Sequence, residues 1–357
     1  MITISEAHDP TAWDAFLTSQ QFSPFLQSWQ MGEVYRAIGQ EPFRWIVLRD
    51  GKIAGICFGH IVPAKRGRHL SVPYGPVLEH IDDFPALLEE MKNVARAQHC
   101  SFIRLSPFWE KSRETSLTKL QGKLSPLHLL AEHIWYLPLK KQNRWTIPEL
   151  RFPIPDSLTP EELLVGMRAT QRNLIRRASK DGVTITLSDD PVRDLPLFIT
   201  LHDETRKRHG FTPYTNAFFR AQVERFAPTG NVLLYLAHYQ DHVIAASIHM
   251  QFGGETSYHH GASTFAFRKI PASYLLQWKA ITDALTRGDD VYNFWGIAPM
   301  SETSDETKNH PFAGVTLFKT GFGGQLLELA HCSDIPLSPT YYATRVFENV
   351  RKWRRGF

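Results

Sequence analysis

The chain has 357 residues, 43% of them hydrophobic and 21% charged, which is enough apolar matter for two cores and argues against long disordered stretches. Three cysteines, Cys57, Cys100 and Cys332, lie far apart with no CxxC pair, a pattern that suits a reducing compartment and not a disulfide framework. The opening MITISEAHDP has neither a basic start nor an apolar run, and no stretch approaches the ~18 consecutive apolar residues of a membrane span, so the cytoplasm is the expected location. The formal net charge is only +4, but its positive part is clustered, in RATQRNLIRRASK (168–180) and in the last residues, where Arg345, Arg351, Lys352, Arg354 and Arg355 gather. Such clusters either decorate a solvated helix face or meet phosphates.

Along the chain, residues 44–62 (RWIVLRDGKIAGICFGHIV) read as two strands joined at Asp50-Gly51, a strong hairpin signal between alternating apolar runs. FPALLEEMKNVARAQ (84–98) has a helical pattern, and Phe102-Ile103-Arg104-Leu105 reads as a strand. The prolines 148, 153, 155 and 160 mark 140–160 as a linker. The same order then recurs. Residues 232–252 (VLLYLAHYQDHVIAASIHMQF) repeat the hairpin with Asp241-His242 at the turn, so that Ile53-Ala54 matches Ile244-Ala245 and Gly55 matches Ala246. YLLQWKAITDALTRG follows, with Leu275, Trp278, Ile281 and Leu285 spaced as one buried helix face and Gly288 as its stop. Val291-Tyr292-Asn293-Phe294 is the next strand.

Hairpin, third strand, helix, next strand is the central order of the acetyltransferase-type fold. The expected class is therefore α/β (α+β) with two tandem GNAT-like acyl-CoA N-acyltransferase-type domains and no long coiled-coil insertion. Residues 1–150 form the first domain and 151–334 the second; the basic end of the chain, VRKWRRGF with Trp353 and Phe357, either packs back on the first domain through Phe347 and Val350, the reading preferred for 335–357, or rests on an anionic membrane surface.

An acyl-CoA user of this fold needs backbone N–H groups at a helix N-terminus to hold a pyrophosphate. The corresponding stretch here is Arg268-Lys269-Ile270-Pro271-Ala272-Ser273, without Gly-x-Gly and with a proline that has no N–H. The first copy, YGPVLEHIDDFP, has no such loop. A different acyl donor is expected. In LFKTGFGG (317–324) a single Lys319 stands among apolar neighbours, suited to an acyl-transfer oxyanion or a leaving-group phosphate, or else to the surface before a turn; the glycines let the backbone approach a ligand closely. Sixteen histidines include the adjacent pair His259-His260, but no zinc spacing occurs, and no metal is expected. There is no Gly-x-Ser-x-Gly elbow.

Taken together, FLQSWQMGEVYRAIG (25–39), YGPVL (74–78), MRATQRNLIRRASKDGV (167–183), RHGF (208–211), YHHGAS (258–263), LLQWKAITDALTRGDDVYNFWGI (275–297) and LFKTGFGG resemble the FemABX family in order. These are the aminoacyl-tRNA-dependent transferases that build the interpeptide bridge of peptidoglycan. The resemblance implies a donor-side second domain and a first domain that holds the acceptor, a muramyl-peptide precursor that is either UDP-MurNAc-pentapeptide or lipid II. Aminoacyl-tRNA is then a co-substrate, with no other cofactor. By position, Lys319 with Phe318 matches the family's catalytic pair and Arg208 a phosphate-contacting residue. Tyr214, Tyr258, Arg36, Tyr35, Tyr74 and Arg104 become candidate substrate contacts, and Arg172, Arg176 and Lys180 candidate tRNA or phosphate contacts. Three features depart from the family: Ser106 stands where an acid usually precedes Pro107, Asn293 stands where Asp is common, and only about 25 residues separate Val183 from Arg208, too few for a long helical hairpin. A monomer is expected, with peripheral contact to membrane-bound lipid II at the inner face of the membrane. Two rival functions remain open: an acyl-CoA-dependent N-acyltransferase of a sugar or antibiotic amine, and a non-catalytic precursor- or RNA-binding module.

Overall fold

The computed structural model describes residues 2–64, 67–113, 123–125, 130–209, 214–300 and 310–355. The chain divides into two compact units, Met1–Glu132 with Glu328–Phe357, and His133–Leu327. The division falls at 132/133 and not at 150, because the segment after Glu132 already enters the second sheet. Residues 139–159 are no free linker either. Arg144 is buried and pairs with Asp290 (Nε–Oδ2 2.9 Å), and Trp145 packs on Tyr136 at 4.7 Å between ring centroids.

The first unit contains β1 (Ile2–Glu6), α1 (Pro10–Thr18), α2 (Trp29–Ala37), β2 (Pro42–Arg49), β3 (Lys52–Val62), β4 (His69–Tyr74), β5 (Val77–Leu78), α3 (Phe84–Ala97), β6 (Phe102–Pro107) and β7 (Lys123–Leu124). The second contains β8 (His133–Pro138), α4 (Pro160–Gly166), α5 (Ala169–Lys180), β9 (Thr184–Leu187), α6 (Pro191–His209), α7 (Asn216–Phe226), β10 (Val232–Tyr239), β11 (His242–Phe252), β12 (Glu255–Ser263), α8 (Ala272–Arg287), β13 (Val291–Gly296), α9 (Ala313–Thr320) and β14 (Gln325–Glu328). The chain then returns to the first unit as β15 (Ser333–Pro336) and α10 (Thr340–Arg355).

The sheets run β1-β2-β3-β4-β6-β15-β7 and β9-β10-β11-β12-β13-β8-β14. Position by position they are the same sheet, with antiparallel hairpins and one parallel pair, β4 with β6 and β12 with β13. The antiparallel partner of β6 is β15, supplied from the far end of the chain, whereas the partner of β13 is β8, the first strand of the second unit. The repeat extends to irregularities. Each hairpin carries one bulge close to its turn, at Val47/Leu48 and at Ala237/His238. The turns are Asp50-Gly51 (φ 50° and 80°) and Gln240-Asp241 (φ 47° and 64°). Both φ positive is the turn that follows the twist of two-residue hairpins. The second turn therefore sits one residue earlier than Asp241-His242, and Ala54 corresponds to Ile244, not Ala245. The Asp common to both turns is the first residue of one and the second of the other.

Helices seat on these sheets through one face. In α3, Phe84, Leu87, Leu88, Met91 and Ala95 are buried at helical spacing. In α8 the buried set is Ala272, Leu276, Gln277, Ala280, Ile281 and Ala284, while Leu275, Trp278 and Leu285 flank the core half-buried. Small residues let the helix approach the sheet, so the face centres on alanines and is rotated from the one the large side chains predict. Between Val183 and Arg208 lie only β9 and the single helix α6, and no coiled coil is present among the described residues.

Candidate active site

In the first unit β4 and β6 pair over six residues, from His69↔Phe102 to Tyr74↔Pro107. In the second, β12 and β13 pair only at Glu255↔Val291, Thr256↔Tyr292 and Ser257↔Asn293, although both strands continue. Asn293 ends the pairing. Its amide donates to the buried Glu255 carboxyl (2.8 Å), and its side-chain oxygen accepts the Trp295 N–H (2.7 Å). Trp295 has φ 67°, and the register of β13 shifts there. Burial pushes Glu255 up to about 7. The amide of Asn293 can donate to that carboxyl, which an aspartate in its place could not do when ionised.

Past the end of the pairing, the Gly296 carbonyl accepts a hydrogen bond from Lys319 Nζ at 2.6 Å. Lys319 lies in the last turn of α9, is 7% exposed, and has its ammonium 5.7 Å from the centre of the Tyr258 ring. Burial alone lowers its pKa from the ordinary lysine value to about 7. Burial likewise pushes the Tyr258 hydroxyl up to about 12. Beside them opens a cavity of about 200 Å³, lined in part by Thr205, Arg208, Ser247, Tyr258, Gln277 and Phe318. Four of the candidates, Lys319, Phe318, Tyr258 and Arg208, thus come together from α9, β12 and α6. Phe318 packs edge-on against Tyr274 and Phe322 at 5.0 and 5.3 Å. Arg208 is exposed and reaches the Ser263 carbonyl at 3.4 Å. Gly210 and Phe211 of the RHGF segment lie outside the described residues.

The glycine of YHHGAS has a spatial cause: a Cβ at Gly261 would lie 1.8 Å from the Tyr258 hydroxyl. Those of LFKTGFGG make room for the protein's own chain and not for a ligand. A Cβ at Gly321 would meet the Gln171 side chain at 1.6 Å, and one at Gly324 the Tyr136 carbonyl at 2.3 Å. Gln171, from the basic helix α5, donates to the Leu317 and Phe318 carbonyls at 3.4 and 3.5 Å. It helps cap the end of α9 and so holds Lys319 in place. Neither Gln171 nor the polar cavity wall of Thr205, Ser247 and Gln277 stood out in the sequence. The only hint was the run of small residues after Ile244.

The remaining candidates are placed differently. Arg172 donates through Nη1 to the Leu164 carbonyl (3.1 Å) and the Met167 carbonyl, so part of its guanidinium is committed to the end of α4. Arg176 and Lys180 are exposed on α5. Tyr214 is partly exposed and stacks on Phe218 at 4.4 Å, beside His260 at 5.3 Å. In the first unit, Arg104 is buried, with Nε and Nη2 on Asp334 (2.7 and 2.9 Å) and Nη1 and Nη2 on Glu348 (3.0 and 2.8 Å). A guanidinium whose fork is filled by two carboxylates is a structural tie and not a substrate contact. Tyr74 is likewise buried and donates to the Ala131 carbonyl at 2.8 Å. Tyr35 stacks on His60 at 3.7 Å, and Arg36 pairs with Glu33 on the surface. No group of three or more His, Cys, Asp or Glu among the described residues could hold a metal.

Two sheets of one topology, with the parallel pair parted in the second, define a tandem acetyltransferase-type α/β protein whose second unit carries a buried lysine behind Tyr258 and Phe318, two residues that line a cavity. The sequence matches the FemAB family over residues 9–240 and 234–349, and the chain belongs to that family. Aminoacyltransferase FemA of Staphylococcus aureus (strain MW2) is 34% identical over 98 residues, which are 27% of this chain and 22% of FemA. The match to that relative therefore spans about a fifth of its length. Among solved structures, the crystal structure of FemX superposes with a TM-score of 0.76 at 19% identity, over 96% of this chain and 100% of FemX. The structure of L-PGS from Bacillus licheniformis superposes at 0.55 with 13% identity, over 97% of each chain. These likenesses show the fold.

Proposed function

We propose that the protein transfers an aminoacyl group from aminoacyl-tRNA to the stem-peptide amine of a muramyl-peptide precursor. What carries the reading is Lys319, a buried cation held at the parted strands and separated from the cavity only by Tyr258 and Phe318, which line it. The acceptor amine attacks the ester carbonyl and forms the new C–N bond. The C–O bond to the ribose then breaks, the amine nitrogen loses a proton and the ribose oxygen gains one. The Lys319 ammonium stabilises the oxyanion formed between these events, which is worth far more in a dry site than in water. With a pKa near 7 it is also matched to moving a proton at neutral pH. Arg208 at the cavity rim suits the diphosphate of the acceptor, and Tyr258 packs over the lysine.

A CoA donor finds less support. The N–H groups of Arg268, Ile270 and Tyr274 donate to the carbonyls of Phe265, Phe267 and Pro271, and Pro271 has none. The start of α8 therefore lacks much of the donor cradle a pyrophosphate needs. The family, the aminoacyltransferase activity named for its member FemA and the site chemistry all point to an activated amino acid instead.

The test incubates the protein with labelled aminoacyl-tRNAs and UDP-MurNAc-pentapeptide and follows label into the peptide. Transfer that RNase abolishes, and that Lys319→Ala lowers by orders of magnitude with the circular dichroism unchanged, is the expected result. Activity with acetyl-CoA and an amine, and none with aminoacyl-tRNA, would overturn it.

A further inference from the structure

The helix α10 is attached to the first unit by one face and leaves the other bare. Tyr341 and Thr344 are buried, and Glu348, the only acid of the helix, is tied to Arg104. Phe347 and Val350, the apolar side expected to pack inward, face solvent instead. With Tyr342, Val346 and Trp353, Val350 forms a stripe at spacings of 4, 4 and 3, opposite the buried face at 100° per residue. Val346 is 63% and Trp353 83% exposed. An isolated exposed apolar residue needs no explanation, but a continuous helical stripe does.

Cations flank the Tyr342 edge of the stripe, where Arg345 and Lys352 lie at 100° per residue, and Arg351 adds charge on the polar side of the helix. Arg351 and Lys352 are exposed, and the helix continues into Arg354 and Arg355. Arg345 is anchored at the edge by the Leu124 carbonyl and the Tyr341 hydroxyl, both at 2.8 Å. Strand β7 extends the patch: Leu124 is exposed, and Lys123 lies 4.5 Å from the Tyr342 ring and donates to its hydroxyl at 3.0 Å. An apolar face with an exposed tryptophan, flanked by basic residues and free of exposed acids among the described residues, has the composition of a helix that lies in a membrane interface. No helix among the described residues is long and apolar enough to cross a membrane, so this contact would be peripheral.

We propose that α10 with β7 docks on an anionic lipid bilayer, its apolar stripe at the acyl boundary and its basic rim on the headgroups. The charge complementarity selects this occupant, since a stripe meant for a second copy of the chain would bring Lys123, Arg345, Arg351 and Lys352 against their like-charged counterparts. The docking does not depend on the transfer reading, and if both hold it delivers the enzyme to a lipid-linked acceptor.

The experiment sediments the full chain with vesicles of phosphatidylcholine containing about 30% phosphatidylglycerol, or of phosphatidylcholine alone. Binding at least about tenfold tighter to the anionic vesicles is expected, weakening with salt. Val346→Glu and Trp353→Glu, both at exposed positions, each reduce it about tenfold or more. Arg351→Gln with Lys352→Gln reduces it about 25-fold, on the basis of about fivefold per basic residue. Equal binding to both vesicles, or variants that bind like the wild type, would overturn the proposal. So would a dimer that Val346→Glu dissolves while the wild type ignores vesicles, an outcome that would assign the face to a second copy.

Discussion

Replacing Lys319 with Met should abolish transfer and yet stabilise the protein. The lysine titrates near 7 in the folded state against an ordinary 10.5, and each tenfold change in proton affinity is worth about 1.4 kcal/mol. The sign follows from proton counts. Below about pH 7 both states carry the proton, and holding a buried ammonium costs the full amount, about 5 kcal/mol. Between about 7 and 10.5 the unfolded chain binds more protons than the folded one, so stability rises with pH. Above that window both are neutral and the cost is gone. At pH 7, where the folded lysine is half-protonated, about 4 kcal/mol remains. Methionine removes this but leaves the Gly296 carbonyl without its 2.6 Å donor, which costs about 1–3 kcal/mol. The net expectation is a gain of about 1–3 kcal/mol at pH 7 that shrinks, and then reverses, towards pH 10. Urea unfolding of both proteins at pH 7, 8.5 and 10, followed by fluorescence, measures it. A variant less stable than the wild type at pH 7, or a difference that does not change with pH, would refute the idea that Lys319 is a desolvated cation kept for chemistry.

Arg104→Ala should destabilise by about 3–5 kcal/mol in thermal or urea unfolding, because Asp334 and Glu348 lose their shared partner inside the protein. Gly261→Ala should push Tyr258 off Lys319 and raise KM for the acceptor several-fold with little loss of fold, as read by steady-state kinetics and circular dichroism. Gln171→Leu should lower kcat about tenfold through a displaced α9 while tRNA binding, measured by filter retention, stays unchanged. Arg176→Glu with Lys180→Glu should instead weaken tRNA binding and flatten its salt dependence, leaving the fold intact because both residues are exposed on α5.

Local pattern made much of this protein legible in its sequence. Two hairpins, the helices that follow them, the strand after each helix, the proline that starves α8 of donors, and Lys319 beside its glycines all depend on residues within a turn or two of one another. Periodicity and turn chemistry are written at that range. What the sequence could not convey was which cations were already in use. Arg104 meets Asp334 across 230 residues, and Arg172 turns back onto the end of α4; both look as available in the string as Arg208 does. The hairpin slip at Gln240-Asp241 and the rotated face of α8 have the same origin, since turn register and helix seating are decided by what packs against them. The return of β15 to the first sheet, and the parting of β12 from β13 at Asn293, are likewise tertiary decisions. The depressed pKa of Lys319 belongs with them: a lysine becomes a useful acid near neutrality only when the rest of the fold takes its water away.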